Sequence, residues 1–165
     1  MTYFKLNADL PDADKSIGDL TAPSSIAANQ RMPCGSITHT GLTVNASGQL
    51  VLSANTTFII FGSPLIEANS SPYNGTIVFQ WYDVTNSSWI GRPLYNWVNT
   101  SNSTTNDRSS IARAVIYPTA STTIEFRIKS IGTTGIDTIN PASPSAHWGT
   151  HAPYVGTQYY SVLSF

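Results

Sequence analysis

Two apolar strands joined by a polar turn, between Gly75 and Trp97, constrain this chain more than any other segment. Successive side chains of a β-strand point to opposite faces of the sheet. In the first strand this rule gives one face with Ile77, Phe79 and Trp81 and another with Val78, Gln80 and Tyr82. A strand with large side chains on both faces is not typical of a solvent-exposed strand. We therefore expect one face to pack against a second sheet and the other against a neighbouring subunit.

The composition indicates a single globular domain with an unusually uncharged surface. The chain has 165 residues, of which 41% are hydrophobic, so it can bury a full core. Only 10% are charged and the net charge is −1, which argues against a nucleic-acid partner and against a basic membrane-surface domain. No run approaches the ~20 apolar residues of a membrane span. Low surface charge favours association, and a stable homo-oligomer is one such outcome.

Residues 1–35 differ in pattern from the rest of the chain. They hold four of the nine acidic residues and three prolines, and they show no sustained helical or strand period. This segment is predicted to be an extended N-terminal arm, with a disordered tail as the alternative. Its start does not have the pattern of a secretory signal, so we expect synthesis in a cytoplasm. The arm residues expected to dock on a partner are Tyr3, Phe4, Leu6, Leu10, Ile17 and Leu20.

Residues 36–165 carry short apolar runs separated by turn-forming residues. The pattern predicts an all-β domain, a jelly-roll β-sandwich of about 8–10 antiparallel strands. No segment has the period of an amphipathic helix. The predicted strands are 36–45, 49–54, 56–67, 75–84, 88–98, 109–117, 121–130 and 157–165.

Sites for chemistry are sparse, and we expect neither an enzyme nor a cofactor. The chain has no nucleotide-binding fingerprint or nucleophile elbow. Cys34 is the only cysteine and is expected to be a small buried thiol, and Asp83 is expected to start a turn through its side chain. Glu125 is expected on an exposed face beside Arg127. His147 and His151 have helical metal-pair spacing, but Gly149 and Pro153 favour loop packing over a metal site.

Three features together resemble the jelly roll of tumour necrosis factor and the complement globular head, in the version found in phage and viral structural proteins. The first is the strand ending Trp81-Tyr82-Asp83-Val84 with its Thr-Asn turn and Ile90-Gly91. The second is a pair of later strands, 111–116 and 123–128. The third is the apolar C-terminal strand from Tyr159 to Phe165. The resemblance covers roughly residues 36–165, which suits one domain.

The resemblance implies a three-fold homotrimer with the C-terminal strand central in its sheet and aromatic side chains along the trimer axis. It implies a bacteriophage capsid decoration or cement protein on the virion surface, whose arm grips the major capsid protein. The chain has no collagen-like stalk, so receptor-ligand activity does not carry over. The residues expected at the trimer interface are Phe79, Trp81, Tyr82, Tyr159 and Tyr160.

An alternative is a receptor-binding spike or tail-fibre head domain that recognises host surface glycans. Aromatic side chains near polar loops stack on sugar rings, and the residues considered for this are Trp89, Trp97, Trp148 and Tyr154. Their alternative role is packing in the core or at a subunit interface.

Overall fold

A computed structural model describes residues 15–21, 27–64, 67–68, 73–100, 111–134, 139–140 and 159–164. Within these ranges the regular structure is entirely β. The same ranges contain no helix of a length and apolarity that would cross a membrane. The strands are β1 (Lys15–Asp19), β2 (Arg31–Met32), β3 (Leu42–Val44), β4 (Leu50–Leu52), β5 (Phe58–Ser63), β6 (Glu67–Ala68), β7 (Tyr73–Asp83), β8 (Ser88–Thr100), β9 (Ala112–Ile116), β10 (Thr122–Thr134), β11 (Ile139–Asn140) and β12 (Tyr159–Ser164).

Ten of the strands form one curled antiparallel sheet that folds into two layers. The front sheet has the order β1-β12-β5-β9, and the back sheet has the order β3-β4-β10-β7-β8, with β2 also paired to β10. A single residue pair, Arg92 with Arg113, connects β8 to β9 and so joins the two layers. In this order the last strand lies beside the first and each hairpin spans neighbouring positions, as in a jelly roll. The predicted all-β antiparallel fold is confirmed.

The core lies between the two layers, and packed aromatic side chains of the neighbouring strands β7 and β10 form its back-sheet side. The Phe126 ring lies 5.0 Å from the Trp81 ring and 5.9 Å from the Phe79 ring, measured between centroids. Gly62 in the front sheet faces Phe126, and a Cβ there would stand 2.7 Å from the ring edge. Only glycine lets the two sheets approach this closely. Each fully buried aromatic or large aliphatic side chain stabilises the fold by about 1.5–3 kcal/mol.

A bulge in β8 explains how this strand reaches both layers. Phe79 pairs with Leu94 and Trp81 pairs with Ile90, so residues 91–93 of β8 face only Gln80 of β7. The Gln80 amide donates to the Ile90 carbonyl at 3.3 Å and to the Gly91 carbonyl at 2.9 Å, replacing ladder hydrogen bonds that the bulge removes. This role accounts for the burial of a polar side chain on the outer face of β7. The bend redirects β8 toward β9.

The described part of segment 1–35 belongs to the sandwich. Strand β1 runs along the edge of the front sheet, antiparallel to β12. The chain then crosses to the back sheet, where β2 pairs with Phe126 and Arg127 of β10. Leu20, Met32 and Cys34 are buried in the core on the way. Residues 1–14, and with them Tyr3, Phe4, Leu6 and Leu10, lie outside the described residues.

Candidate association surface

Two of the residues expected between subunits, Phe79 and Trp81, are buried within one chain. Their exposed fractions are 2% and 0%, and both pack in the core between the front and back sheets. This corrects their assignment: a side chain that the monomer already covers has no surface left for a neighbouring subunit. The face that carries them needs no partner.

Tyr82 lies on the opposite face of β7 and is half-buried. Its ring contacts Trp89 of β8 edge-on, with centroids 5.0 Å apart, and the Arg127 guanidinium lies 3.9 Å above its centre. Both neighbours belong to the same chain, so they account for the burial of Tyr82 as well. Trp89, considered above for sugar stacking, is occupied by the same contact.

The predicted position of the C-terminal strand is confirmed. Strand β12 lies inside the front sheet, with β1 on one side and β5 on the other. Tyr159 pairs with Asp19 and Ser63, and Tyr160 pairs with Gly18 and Gly62. The structure describes these two tyrosines by their backbone register.

Of the two arm residues that the structure describes, only Ile17 is available to a partner. Ile17 is 63% exposed on β1, whereas Leu20 is 5% exposed and packs in the core. The assignment of Leu20 to a capsid contact is therefore corrected: its side chain is enclosed by the domain. Trp148, Tyr154, His147 and His151 lie outside the described residues.

The outer face of the front sheet carries apolar side chains, some exposed and some half-buried, together with the exposed Asp19 and Arg113. The strand register aligns Ile59 of β5 with Val115 of β9, and aligns Ile17 and Phe61 with the same β12 residue, Ser161. These residues alternate with the buried core residues, so their side chains share the outer face. Val115 is 62% exposed and Tyr117, directly after β9, is 59% exposed. We define the association face as Ile17, Ile59, Phe61, Val115 and Tyr117.

The outer face of the back sheet is built from charged and polar groups that satisfy one another. Glu125 of β10 is only 2% exposed, which corrects the expectation of a solvated side chain. The Gln49 amide donates to its Oε2 atom at 2.7 Å, the Arg127 Nε atom donates to its Oε1 atom, and an Arg31 nitrogen lies 3.7 Å from Oε2. A carboxylate this deeply buried requires such partners, because an unpaired buried charge is costly.

Aromatic rings extend this arrangement along the sheet. Lys129 donates to the Gln80 amide oxygen at 2.7 Å, and its ammonium lies 5.4 Å from the centre of the Trp89 ring. Cations over aromatic rings are attracted by the ring quadrupole. We define the network face by its members: Arg31, Gln49, Gln80, Tyr82, Trp89, Glu125, Arg127 and Lys129.

Two smaller predictions are confirmed. The Asp83 carboxylate accepts hydrogen bonds from the Asn86 backbone and side-chain nitrogens at 2.9 and 2.8 Å, which fixes the β7–β8 turn. Cys34 is 4% exposed, and burial, followed by the Glu125 charge, raises the pKa of its thiol to about 12. A thiol with this pKa is protonated at neutral pH and is a poor nucleophile.

Neither comparison with known sequences identifies a relative: no protein-family model matches this chain, and no curated protein matches it.

Proposed function

We propose that this protein is a structural protein that assembles as a homotrimer through the association face and decorates a viral capsid. The observation that carries the proposal is the set of exposed and half-buried apolar side chains on the outer face of the front sheet. Apolar residues lie there on the neighbouring strands β5 and β9 and again on the edge strand β1, beyond β12, with Val115 and Ile17 more than 60% exposed. Apolar patches of this kind on small soluble domains mark interaction sites.

A second copy of the chain is the partner that best fits this surface. The inner side of the front sheet already lies against the core. Association would also cover its outer side, so that β5, β9 and β12 would be buried on both faces, as apolar strands usually are. The chain carries few charges to oppose close approach of identical copies. The three-fold symmetry comes from the resemblance to trimeric jelly rolls.

The capsid role is supported by the resemblance and by the position of the N-terminal segment. The chain enters the front sheet at Lys15 on the edge strand, so residues 1–14 directly precede the association face. In a trimer three such segments leave the same assembly. Three weak contacts made together bind far more tightly than one, because the second and third become intramolecular. A trimer also suits the local three-fold positions of an icosahedral shell.

Self-association is tested by Val115→Lys, which places a charge in the middle of the association face. Mass measured by light scattering should fall from that of three chains to that of one. At concentrations at which the native protein is assembled, the variant should also melt at a lower temperature, because it lacks the contacts between subunits. Thr43→Lys, on an exposed position of β3 in the back sheet, is the matched control and should leave the mass unchanged. A single-chain mass for the unmodified protein at micromolar concentration would contradict the proposal.

The capsid contact is tested by deleting residues 1–14 and leaving β1 intact. The shortened protein should keep its oligomeric mass but lose co-sedimentation with assembled capsids. The full-length protein should raise the heat resistance of those capsids. Unchanged co-sedimentation of the shortened protein would refute a role for this segment, and no co-sedimentation of the full-length protein would refute the capsid role.

A further inference from the structure

Two pairs of arginines face each other across neighbouring strands. Arg31 of β2 pairs with Arg127 of β10, and Arg92 of β8 pairs with Arg113 of β9. Side chains of directly opposed residues project from the same face with Cβ atoms about 4.5–5.5 Å apart, and like charges in this position destabilise the sheet. A negative charge placed between the two members of such a pair would therefore be stabilising.

The first pair obtains its negative charge from the chain itself. The Glu125 carboxylate lies between Arg31 and Arg127 and contacts both. The Arg127 guanidinium also rests on the Tyr82 ring. This pair shows how the protein holds a carboxylate: two opposed arginines bind its oxygens, and a tyrosine lies beside them.

The second pair has a different environment. Arg92 and Arg113 are both exposed, and the ion pairs formed among the described residues all involve Glu125 instead. The backbone holds the pair in place. Gly91 has a φ of 70°, and a Cβ at this position would collide with the carbonyl oxygen of Arg113. Only glycine permits the two backbones to approach this closely. The backbone geometry at Gly91 therefore fixes Arg92 opposite Arg113.

A pocket lies beside Arg92, the β8 member of the second pair, whose register partner on β9 is Arg113. It has a volume of about 410 Å³ and is lined by Arg92, Pro93, Leu94, Tyr95 and Ile111. Tyr95 is 66% exposed and Ile111 is 49% exposed, so a ring and an aliphatic side chain are open to a ligand next to the arginines. The volume is within the usual range of small-molecule sites.

We propose that Arg92, Arg113 and Tyr95 form a binding site for an acidic sugar residue, with its carboxylate held by the two arginines and its ring against Tyr95. A guanidinium pair matches a carboxylate in charge and hydrogen-bond geometry. An exposed tyrosine beside a concave surface favours a sugar ring, which has an apolar C–H face, over an extended acidic peptide, which needs no such pocket. The site goes beyond the structural role proposed above. It adjoins the association face, because Arg113 of β9 pairs with Phe61 of β5.

The test is a titration of the full chain with glucuronic acid, followed by calorimetry, with glucose as the neutral counterpart. Glucuronic acid should bind and glucose should bind at least about 10-fold more weakly, as expected for loss of one charged hydrogen-bond partner. Arg92→Gln and Arg113→Gln should each weaken binding of glucuronic acid by about 10-fold or more. Tyr95→Ala should weaken it less. Lys129→Gln removes the same charge from the network face and should leave binding unchanged.

Other probes separate this ligand from its competitors. Sulfate that binds as tightly as glucuronic acid would identify a simple anion site and overturn the sugar assignment. Tighter binding of a peptide with the acidic sequence NADLPDADK would identify a protein partner and overturn it as well. Equal responses of the native and double-arginine proteins would also refute it.

Light scattering on the same samples keeps this proposal distinct from the structural one. The arginine variants should retain the mass of the native protein. A variant that loses both assembly and ligand binding would place the arginines in the subunit contact and overturn the separate sugar site. Loss of binding at unchanged mass supports it, whatever the native mass proves to be.

Discussion

The association face and the network face are the two outer surfaces of one sandwich, and they differ in whether their side chains are satisfied by contacts within the chain. On the network face the outward residues of β7, β8 and β10 bind one another through ion pairs, amides and ring contacts. On the association face Ile17, Val115 and Tyr117 are exposed, and Ile59 and Phe61 beside them are half-buried. A face that satisfies its own polar groups is complete in the monomer. A face of exposed apolar side chains gains free energy only when something covers it.

The largest effect that would separate the two faces is expected from Glu125→Gln. The change leaves Arg31 and Arg127 opposed with no carboxylate between them. Because both arginines are partly solvent-exposed, we expect a loss of about 2 kcal/mol, less than for a fully buried pair. Urea denaturation monitored by tryptophan fluorescence gives the free energy of unfolding, and light scattering should show an unchanged mass. Val115→Lys should give the reverse pattern, with loss of mass and little change in the stability of the single chain.

Asp19→Asn is the control for Glu125→Gln, because it removes an exposed carboxylate. It should change the free energy of unfolding by less than about 0.5 kcal/mol. If the two substitutions lower the free energy of unfolding by the same amount, the Glu125 carboxylate does not stabilise the back sheet.

A smaller effect is expected at alkaline pH, from the thiol beneath the network face. The pKa of Cys34 is about 12 in the folded chain, against an ordinary value of 9.0. Above pH 9 the unfolded chain releases this proton and the folded chain retains it, so the thiol's contribution is lost as pH rises from about 9 to 12. The slope for one such group is at most about 1.4 kcal/mol per pH unit.

This dependence is measured by comparing the native protein with Cys34→Ala in urea denaturation between pH 8 and pH 10.5. Tyrosines and lysines titrate in both proteins, so the difference between the two curves isolates the thiol. The gap in stability should narrow as the pH rises. A constant gap would show that the thiol titrates alike in the folded and unfolded chains.

The smallest effect is expected from Tyr82→Leu, which keeps an apolar side chain and removes the ring beneath Arg127. Loss of a partly exposed cation–π contact should cost about 0.5–1 kcal/mol. Thermal melts of the variant measure this cost, and Tyr117→Leu on the association face is the matched control. For Tyr117→Leu we expect the single chain to keep its melting temperature. A larger loss at Tyr117 than at Tyr82 would reverse the comparison.

The alternation of apolar and polar residues predicted most of the strands, because a strand with one buried face has an apolar residue at every second position. The predicted range 75–84 corresponds to β7 and the range 121–130 to most of β10. The two strands in segment 1–35 were not predicted, since β2 has only two residues and β1 has the sequence KSIGD with one clear apolar residue. The place of β1 is decided by pairing with β12, and no local pattern reports a contact between residues 140 to 148 positions apart.

The sites were harder to predict for the same reason. Phe79, Trp81 and Tyr82 indicated a strand covered on both sides, and that much is correct. Which molecule covers them depends on Phe126 and Arg127, residues that pair with β7 only in the folded sheet. Glu125 looked solvated because alternation places it on an outer face, and alternation cannot show that Gln49 and Arg31 cover that face.

The fold class, the low content of charged residues and the turn at Asp83 could be predicted from the amino-acid sequence, because they depend on composition or on residues that are neighbours in the chain. The tertiary structure decided which outer face is complete, where the arginines meet and which apolar residues remain open. Those properties arise from strand order and register, which join residues far apart in sequence. A side chain's environment is set by what the fold places opposite it, and that contact is made only when the two sheets close over the core.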